Sequence, residues 1–339
     1  MLVQVACALQ LRGLPQHVVS LRGRGENARL LEAGGVEVTD LGLAGLVGLP
    51  GALLNLRRVI ARLQPTVIQG WMYHGNIMSV LGHRIAPGRS ERRVFWGLRA
   101  SDMDGRRYGG INWMSARLSH WPDVVVANSE SGARFHERLG YRPRVLKVVP
   151  NGIDCDRFRP DEHVRIAVRT ELGLPTDAIV VIHVARVDPM KDHENFLRAM
   201  QKNPAVTGLL IGRETDKLML PANVRALGER RDVQRLYCAA DIIVSSSAFG
   251  EGFSNVLAEG MAAGLVPIAT RVGDADKIIG STGRIVPVQN PDALAAAIRE
   301  EAAVSREDRA LRGMVARKRI KTHFTIENAV SNFERLYSA

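Results

Sequence analysis

The sequence has few cysteines, few aromatic side chains and no long apolar run. Its three cysteines, Cys7, Cys155 and Cys238, are scattered and odd in number, which excludes a disulfide framework and gives no metal-ligand spacing. Aromatic residues make up 5% of the chain and no recognised nucleic-acid motif is present, so no nucleic-acid partner is expected. No run approaches the roughly 20 apolar residues of a membrane span, and the start of the chain lacks a secretory-signal pattern. These absences favour a protein of the reducing cytoplasm.

Acidic residues are scarce in one half of the chain. Residues 1–150 hold 20 Lys and Arg against 10 Asp and Glu, a net charge of +10, whereas the other 189 residues hold 26 against 25, a net charge of +1. A basic first half predicts an anionic partner there. An anionic membrane surface or a phosphate-bearing lipid acceptor fits better than nucleic acid. The alternative explanation of this charge is a genome whose proteins are generally rich in arginine.

The apolar pattern predicts an α/β fold, because strand-like runs alternate with helical patterns from end to end. This alternation is typical of two tandem doubly wound, Rossmann-like parallel-sheet domains, which bind ligands in a cleft at the carboxyl ends of their strands. The strand-like runs lie at 16–21, 36–40, 66–70, 93–97, 123–127, 144–149, 179–183, 207–211, 223–227, 241–244, 266–270 and 284–287.

The predicted domain boundaries follow from this alternation and from a polar linker that ends near Pro160. The first domain covers residues 1–154, the second covers 155–322, and a helix at 323–339 crosses back to the first domain. The chain starts inside a helical pattern that places Leu2, Val5, Ala6 and Leu9 on one face. A doubly wound domain normally opens with a strand, so the first domain is expected to lack its first strand.

The most informative segment is residues 251–264, which lie between two strand-like runs and predict a loop followed by a helix. Glu251 lies in the loop, Ser254 or Asn255 suits the N-cap, and Glu259 falls about a turn and a half into the helix. The amides from Phe253 to Val256, at the positive end of the helix dipole, suit an anion. A polyhydroxylated, phosphorylated ligand could use both carboxylates and these amides.

This segment resembles the Glu-x7-Glu motif of retaining family-4 glycosyltransferases, which have the GT-B fold of two Rossmann-like domains. The resemblance implies that Glu259 binds the ribose hydroxyls of a nucleotide-sugar donor and that Glu251 acts catalytically beside the sugar. The amides of Phe253, Ser254, Asn255 and Val256 would hold a phosphate or sugar hydroxyls. The alternative interpretation is two solvated glutamates that flank a crossover helix.

A second loop, residues 183–193, resembles the Gly-Arg-Leu-x-x-x-Lys-Gly loop of the same family. Arg186 and Lys191 would converge on the donor diphosphate, the first as a planar fork and the second as a point charge. Ala185 departs from the family's glycine, and Asp192 is expected to cap the next helix. The alternative is a solvated loop of charges.

A third loop, residues 227–233, corresponds to the family's loop beside the nucleotide base, which predicts donor contacts from Glu229 and Arg230. Asp232 is expected to cap the following helix. The sequence has no Asp-x-Asp motif and no His/Cys ligand cluster. We therefore expect no metal and no cofactor besides the donor substrate.

The acceptor side is predicted in the first domain. The segments 71–74 and 96–99 resemble the Trp-Met-Tyr-His and Trp-Gly-Ile-Arg segments of a bacterial polysaccharide subgroup. His74 and Arg99 are the acceptor-side candidates. A histidine that many relatives place after the second of these strands is absent, as are the family's first strand and glycine-rich loop.

The sequence thus predicts a retaining glycosyltransferase that moves a sugar from UDP- or GDP-sugar to a saccharide or polyprenyl-linked acceptor in cell-surface polysaccharide synthesis. It would work in the cytoplasm, with peripheral attachment to the inner face of the membrane as an option. Two alternatives stay open. One is a catalytically impaired nucleotide-sugar-binding relative, and the other is a nucleotide-sugar epimerase or hydrolase of similar fold.

Overall fold

The computed structural model describes residues 1–45, 47–88, 92–99, 101 and 105–338, with only the backbone course given for 105–108. The chain divides into two compact units, each with its own parallel sheets and covering helices. One unit comprises residues 1–152 together with 326–339, and the other comprises residues 153–325. The predicted α/β class is confirmed. None of the helices in the described ranges combines the length and apolar character that crossing a bilayer requires.

The first unit contains six strands and seven helices within its described residues. Strands β3 to β6 form one parallel sheet in chain order, and β1 and β2 form a separate parallel pair. The elements are α1 (Leu2–Leu11), β1 (His17–Ser20), α2 (Glu26–Ala33), β2 (Glu37–Asp40), α3 (Leu49–Leu63), β3 (Val67–Trp71), α4 (Met72–Ile85), β4 (Arg93–Leu98), α5 (Gly105–Leu118), β5 (Val124–Ala127), α6 (Glu130–Arg138), β6 (Leu146–Val148) and, at the end of the chain, α14 (Ile326–Ser338).

Side chains that alternate along β4 explain how the helices cover both faces of the four-stranded sheet. Trp96, with Val94 and Leu98, packs into a buried cluster with side chains of α4, α5 and α6. Phe95 points the other way and packs with α1 and α14. The predicted helical face at the start of the chain is confirmed, because Val5, Ala6 and Leu9 are buried.

The second unit contains a single six-stranded parallel sheet in the order β12-β11-β10-β7-β8-β9. Its elements are α7 (Glu162–Glu171), β7 (Val180–Val184), α8 (His193–Gln201), β8 (Thr207–Ile211), β9 (Val224–Ala226), α9 (Val233–Ala239), β10 (Ile242–Ser245), α10 (Asn255–Ala262), β11 (Val266–Thr270), α11 (Ala275–Ile279), β12 (Arg284–Val286), α12 (Pro291–Ala302) and α13 (Arg306–His323).

The core of the second unit also follows the period-2 alternation of its strands. Val180 and Ile182 pack on one face with α7, α9, α10, α11 and α13. Val181 packs on the other face with α8 and α12. Asp241 braces the amino end of the sheet, because its carboxylate accepts hydrogen bonds from Arg165, Arg169 and the Val180 amide at 2.7, 3.0 and 2.8 Å.

The first unit departs from the sequence-based expectation at helices α4 and α5. Helix α4 was not predicted, because its start carries Met72, Tyr73, His74 and Gly75 and reads as the end of a strand. The apolar pattern predicts a helix over residues 111–118, and the corresponding helix α5 begins earlier, at Gly105. Both lie in the first unit, where glycines interrupt the apolar periodicity from which helices are recognised.

Candidate functional site

The order of the second sheet creates a crevice at the carboxyl ends of β7 and β10. These strands are neighbours, yet the chain leaves them in opposite directions, since α8 lies on one face of the sheet and α10 on the other. Loops that diverge from adjacent strands leave room for a ligand at such a switch point. The loops that carry Lys191 and Glu251 are the two that begin here.

The loop after β7 is a short, tightly capped turn. Asp188 accepts a hydrogen bond from the Met190 amide at 3.0 Å and opens a 3-10 turn at Pro189–Lys191. Asp192 has a φ of 46° and caps α8 by accepting from the Asn195 amide at 3.2 Å, which confirms the predicted cap. This turn therefore fixes the position of the Lys191 backbone in the loop after β7.

Ala185 stands at the beginning of this loop, where the family motif has glycine. The residue is not among the described ones with a positive φ, so the backbone there does not require glycine. The His193 ring donates from Nε2 to the Ala185 carbonyl at 3.3 Å. Gly212 packs against the same carbonyl so closely that an added Cβ would lie 2.0 Å from the oxygen. The loop is therefore held from two sides.

Arg186 is half exposed and already has a carboxylate partner in its own loop. Its guanidinium donates from Nη2 and Nε to Asp188 Oδ2 at 2.8 and 3.2 Å. Burial alone would raise the pKa of Asp188, but the hydrogen bonds from Arg186 and from the Met190 amide outweigh it, so the pKa lies below its ordinary value. A diphosphate would have to share this guanidinium with Asp188.

Lys191 and Glu251, which the sequence placed on different loops, form an ion pair across the crevice. Glu251 Oε1 also accepts a hydrogen bond from the Ser247 hydroxyl at 2.8 Å. Ser246 donates to the Lys191 carbonyl at 3.0 Å, and the Ala248 amide donates to the Met190 carbonyl at 2.9 Å. The loops after β7 and β10 are thus joined by one ion pair and by hydrogen bonds from Ser246 and Ala248 to backbone carbonyls.

The loop after β10 leads into α10 at the predicted place. Ser254 occupies the N-cap position, although its hydroxyl makes no capping hydrogen bond to a residue that the structure describes. The Phe253 ring is buried and packs against Phe324 at 5.4 Å between centroids, so only its backbone can face a ligand. The amides of the first helical turn lack carbonyl partners within the helix, as at any helix start. Asn255 and Val256 belong to that turn.

Glu259 lies in the second turn of α10, where its carboxyl is largely buried. Tyr237 Oη donates to Glu259 Oε2 over a long 3.5 Å. Burial raises the pKa of Glu259 to about 7, and the nearby Arg157 and the Tyr237 hydroxyl lower it only in part. At neutral pH this carboxyl is therefore harder to ionise than an exposed glutamate.

Gly273, which the sequence did not single out, packs directly against the backbone of Glu251. It has a φ of 64°, and an added Cβ would lie 2.6 Å from the carbonyl oxygens of both Glu251 and Gly252. The Asp274 amide donates to the Gly252 carbonyl at 3.1 Å. The position needs glycine both for its backbone angle and for its close approach.

Glu229 lines an open cavity of about 650 Å³ at the carboxyl ends of β8 and β9. Arg213, Glu214 and Lys217 line it from the loop after β8. Arg230 turns away into a fork with Asp232, with Nε–Oδ1 and Nη2–Oδ2 distances of 2.8 Å. A donor-binding role for Arg230 stays a prediction, since two of its nitrogens are already engaged.

Asp232 occupies the N-cap position of α9, but its side chain makes no capping hydrogen bond within the described part of the chain. The carboxylate pairs with Arg230 and Arg235 instead. The expected cap is therefore correct in position and wrong in its hydrogen bond. The reason is that two arginines two and three residues away compete for the same carboxylate.

His74 and Arg99 lie in the first unit, near the carboxyl ends of β3 and β4. His74 is exposed in the first turn of α4, which excludes the alternative that this histidine is a buried packing residue. Met72, which opens that helix, has a φ of 66°, a backbone conformation that costs about 1–3 kcal/mol in a residue other than glycine. The buried Asn76 amide secures this bend by bonding the Gly97 amide and carbonyl at 3.1 and 3.2 Å.

Arg99 is an almost buried cation between aromatic rings. Its guanidinium carbon lies 4.3 Å from the Trp71 ring and 5.4 Å from the Phe333 ring, and Nη1 donates to Asn151 Oδ1 at 3.0 Å. Burial lowers the pKa of Arg99 to about 10, so it stays charged at neutral pH. Its Nε and Nη2 have no hydrogen-bond partner in the described ranges. The sequence also places Ser101 and Asp102 near enough to pair with Arg99, but Asp102 lies outside those ranges.

No three His, Cys, Asp or Glu side chains come together as a metal site in the part of the chain that the structure describes. The sequence reasoning missed the residues that hold the site together, namely Asp188, Ser247, Tyr237 and Gly273. Tyr237 and Gly273 contact partners distant in sequence, and Asp188 and Ser247 bond side chains within their own loops, an arrangement that no local motif specifies. The Asp-Pro pair at residues 188–189 was the one available signal, because aspartate before proline is typical of a helix start.

Two family models match the chain. The one described as Glycosyltransferase Family 4 matches residues 1–157, and the one described as Glycosyl transferases group 1 matches residues 178–302. The chain belongs to the group 1, family 4 glycosyltransferases. D-inositol 3-phosphate glycosyltransferases of Mycobacterium tuberculosis and Mycobacterium bovis are 33% identical over 183 residues, which cover 48% of this chain. The match spans only 38% of the length of those relatives.

Solved structures with the same architecture confirm the GT-B fold. Anabaena HepE in complex with UDP has a TM-score of 0.85 and 21% identity, with 99% of this chain and 94% of that chain covered. HepE has also been solved with UDP-glucose, with a TM-score of 0.83. The sucrose-phosphate synthase of Thermosynechococcus elongatus has a TM-score of 0.77 and 19% identity, with 96% and 98% covered.

The environment of Glu259 predicts a carboxyl that titrates near pH 7. Because its folded pKa lies above its ordinary value of 4.5, this group makes the fold less stable as the pH rises from about 4.5 to about 7. Replacing Arg157 by Ala should raise the pKa further, since the positive charge lowers it. Carbon-detected NMR titration of glutamate-labelled protein gives the midpoint, and the Glu259→Gln variant identifies the resonance. A midpoint below 5 in the wild type would contradict the buried environment.

Proposed function

We propose that the protein is a retaining glycosyltransferase that uses a nucleoside-diphosphate sugar, with UDP as the first nucleotide to test. The observation that carries the proposal is the crevice between β7 and β10, where Lys191, Glu251 and the start of α10 meet. Relatives named as glycosyltransferases and the UDP-bound HepE structures support it.

The donor would bind by exchanging partners within the crevice. Its diphosphate would take Lys191 from Glu251 and share Arg186 with Asp188, and the amides at the start of α10 would complete the anion site. Glu259 would accept from the ribose hydroxyls, which favours its ionised form. Glu229 and the cavity beside it would receive the base.

Exchange of this kind couples donor binding to the catalytic carboxylate. Once Lys191 moves to the diphosphate, Glu251 keeps its hydrogen bond from Ser247 and turns toward the sugar. The leaving diphosphate gains negative charge as the C1–O bond breaks, and the two cations and the helix start stabilise that charge. These groups supply the electrostatic role of a metal, so we propose that the reaction needs none.

Retention of the sugar's configuration would follow from attack on the face that the diphosphate leaves. The acceptor hydroxyl forms the new bond to C1 while its proton passes to an oxygen of the departing phosphate. We place the acceptor on the first unit, with His74 and Arg99 as its contacts. A saccharide or polyprenyl-linked saccharide in cell-surface polysaccharide synthesis suits the unpaired donors of Arg99 and a cytoplasmic enzyme attached peripherally to the membrane.

Lys191→Ala tests the donor site by calorimetric titration with UDP, GDP and ADP. We expect UDP affinity to fall about 10- to 100-fold, because losing a charged hydrogen bond to an anion costs roughly 1.5–3 kcal/mol. The alanine also leaves Glu251 without its cation beside the phosphates, which adds repulsion. Lys202→Ala is the matched control, because Lys202 pairs with Asp292 on the surface. This variant should bind UDP as tightly as the wild type does. Equal UDP affinities of the Lys191→Ala and Lys202→Ala variants would show that Lys191 does not contact the donor.

Glu251→Gln and Glu259→Gln test the division of labour between the two carboxylates. Glu251→Gln should lower kcat far more than it weakens donor binding, because it frees Lys191 while removing the charge nearest the reacting carbon. Glu259→Gln should mainly raise the donor KM, the pattern of an interaction that is equal in ground and transition states.

Steady-state kinetics with a nucleotide-sugar donor separate the possible outcomes. The same pattern in both variants would refute the assigned roles. Binding of UDP without transfer to any acceptor would favour a ligand-binding relative. Release of free sugar or of an epimerised donor would favour the hydrolase or epimerase alternative.

A further inference from the structure

Helix α13 is held against the second unit along one narrow face. Arg309, Gly313, Ala316 and Ile320 are buried along that face. Gly313 approaches the turn after α10 so closely that an added Cβ would lie 1.9 Å from the Gly264 carbonyl oxygen. This contact fixes the rotation of the helix about its own axis, so the residues on the opposite side are held toward solvent.

The solvent side of α13 carries apolar side chains in its middle. Leu311 is 65% exposed, Met314 is 52% exposed and Val315 is 55% exposed. A single exposed apolar residue is ordinary on a protein surface. Three of them on adjoining turns of one helix form a continuous apolar stripe, which is typical of a contact surface.

Glu307 and Lys318 lie at the two ends of this stripe. The order Glu307, Leu311, Met314 and Lys318 runs at intervals of four, three and four residues, so all four lie on one side of the helix. Both charged residues are exposed, and neither makes an ion pair within the ranges that the structure describes. The stripe therefore reads the same from either end, as charge, apolar, apolar and charge, with opposite charges at its two ends.

The arginines of α13, in contrast, all bond groups of their own unit. Three of them donate to backbone carbonyls and two pair with carboxylates, at positions 309, 317 and 319 and at positions 306 and 312 respectively. These side chains hold the helix in place. The arrangement leaves Glu307 and Lys318 available to a partner outside the unit.

We propose that two copies of the chain pair through α13, with the two helices antiparallel across a two-fold axis. In this register Glu307 of each copy meets Lys318 of the other copy, and Leu311 of each copy meets Met314 of the other. A two-fold interface requires a surface that is complementary to itself. The symmetric spacing and the opposite end charges meet that requirement.

The charge of the second unit also favours a second copy as the occupant. Residues 151–339 carry a net charge of +1, whereas residues 1–150 carry +10. Copies that meet through α13 therefore repel each other less than copies that meet through the basic half. One helix per copy gives a smaller contact than the roughly 800 Å² per partner of a standard stable interface. We therefore expect a reversible dimer with a Kd in the micromolar range.

Sedimentation equilibrium of the full chain over a concentration series tests this pairing. The average mass of the wild type should rise with concentration from that of the monomer toward that of the dimer. Leu311→Glu should weaken the dimer at least about tenfold, because it places two carboxylates in the apolar contact. Leu30→Glu is the matched control, because Leu30 is 53% exposed on α2 of the first unit. It should change the Kd of the dimer by less than about twofold.

A charge exchange tests the antiparallel register. Glu307→Lys and Lys318→Glu each replace two attractive pairs by two repulsive ones, so each variant alone should dimerise about tenfold more weakly than the wild type. An equimolar mixture of the two variants should associate again, because each copy then supplies the charge that the other lacks. The double variant that carries both changes should dimerise like the wild type.

Three results would overturn the proposal. A wild type that stays monomeric throughout the concentration series excludes the pairing, and a dimer that Leu311→Glu leaves intact has its interface elsewhere. A mixture of the two charge variants that associates no better than either alone contradicts the register. Circular dichroism of each sample shows that the variant is folded. The inference concerns assembly alone and does not depend on sugar transfer, which the UDP titrations test separately.

Discussion

The candidate site depends on the ion pair between Lys191 and Glu251. It joins two loops that leave neighbouring strands in opposite directions, so it closes the one crevice that the strand order of the second sheet creates. Hydrogen bonds from Ser246 and Ser247 hold the two partners in place. Every other proposed donor contact in that unit is arranged around this pair, with Arg186 on one loop and the start of α10 on the other.

The site balances its charges before a ligand binds. Arg186 is paired with Asp188, Lys191 is paired with Glu251, and burial raises the pKa of Glu259 so that its carboxyl resists ionisation at neutral pH. Burying ions without partners is costly, so a site that must accept a diphosphate is more stable when each cation has a local carboxylate. A diphosphate can then displace one carboxylate at a time rather than enter a crevice of unpaired charge.

Much of this arrangement could be predicted from the sequence. The alternation of apolar runs gave two doubly wound units, and the carboxylate spacing with its Gly-Phe and helix start gave the loop and α10. The pairing of Lys191 with Glu251 could not be predicted, because it depends on β7 and β10 being neighbours, and strand order is not written in local periodicity. The bend at Met72 was missed for a similar reason, since Asn76 secures it by bonding a strand that comes later in the chain.

The burial of Glu259 shows the same limit in another form. Its place on α10 follows from helical spacing, but the degree of burial and the partnership with Tyr237 depend on how α9 packs beside α10. Likewise, the sequence indicates that the first half is basic, and only the packing of α5 reveals that Trp113 is exposed. Local pattern therefore locates chemical groups, and tertiary packing decides their ionisation and access.

The exchange of Lys191 from Glu251 to a diphosphate is the central claim, and a crystal structure of the protein with UDP tests it most directly. The account predicts Lys191 Nζ within about 3 Å of a phosphate oxygen, with its pair to Glu251 broken and Glu259 on the ribose hydroxyls. UDP bound at the crevice while Lys191 stays on Glu251, or UDP bound elsewhere in the second unit, would contradict it.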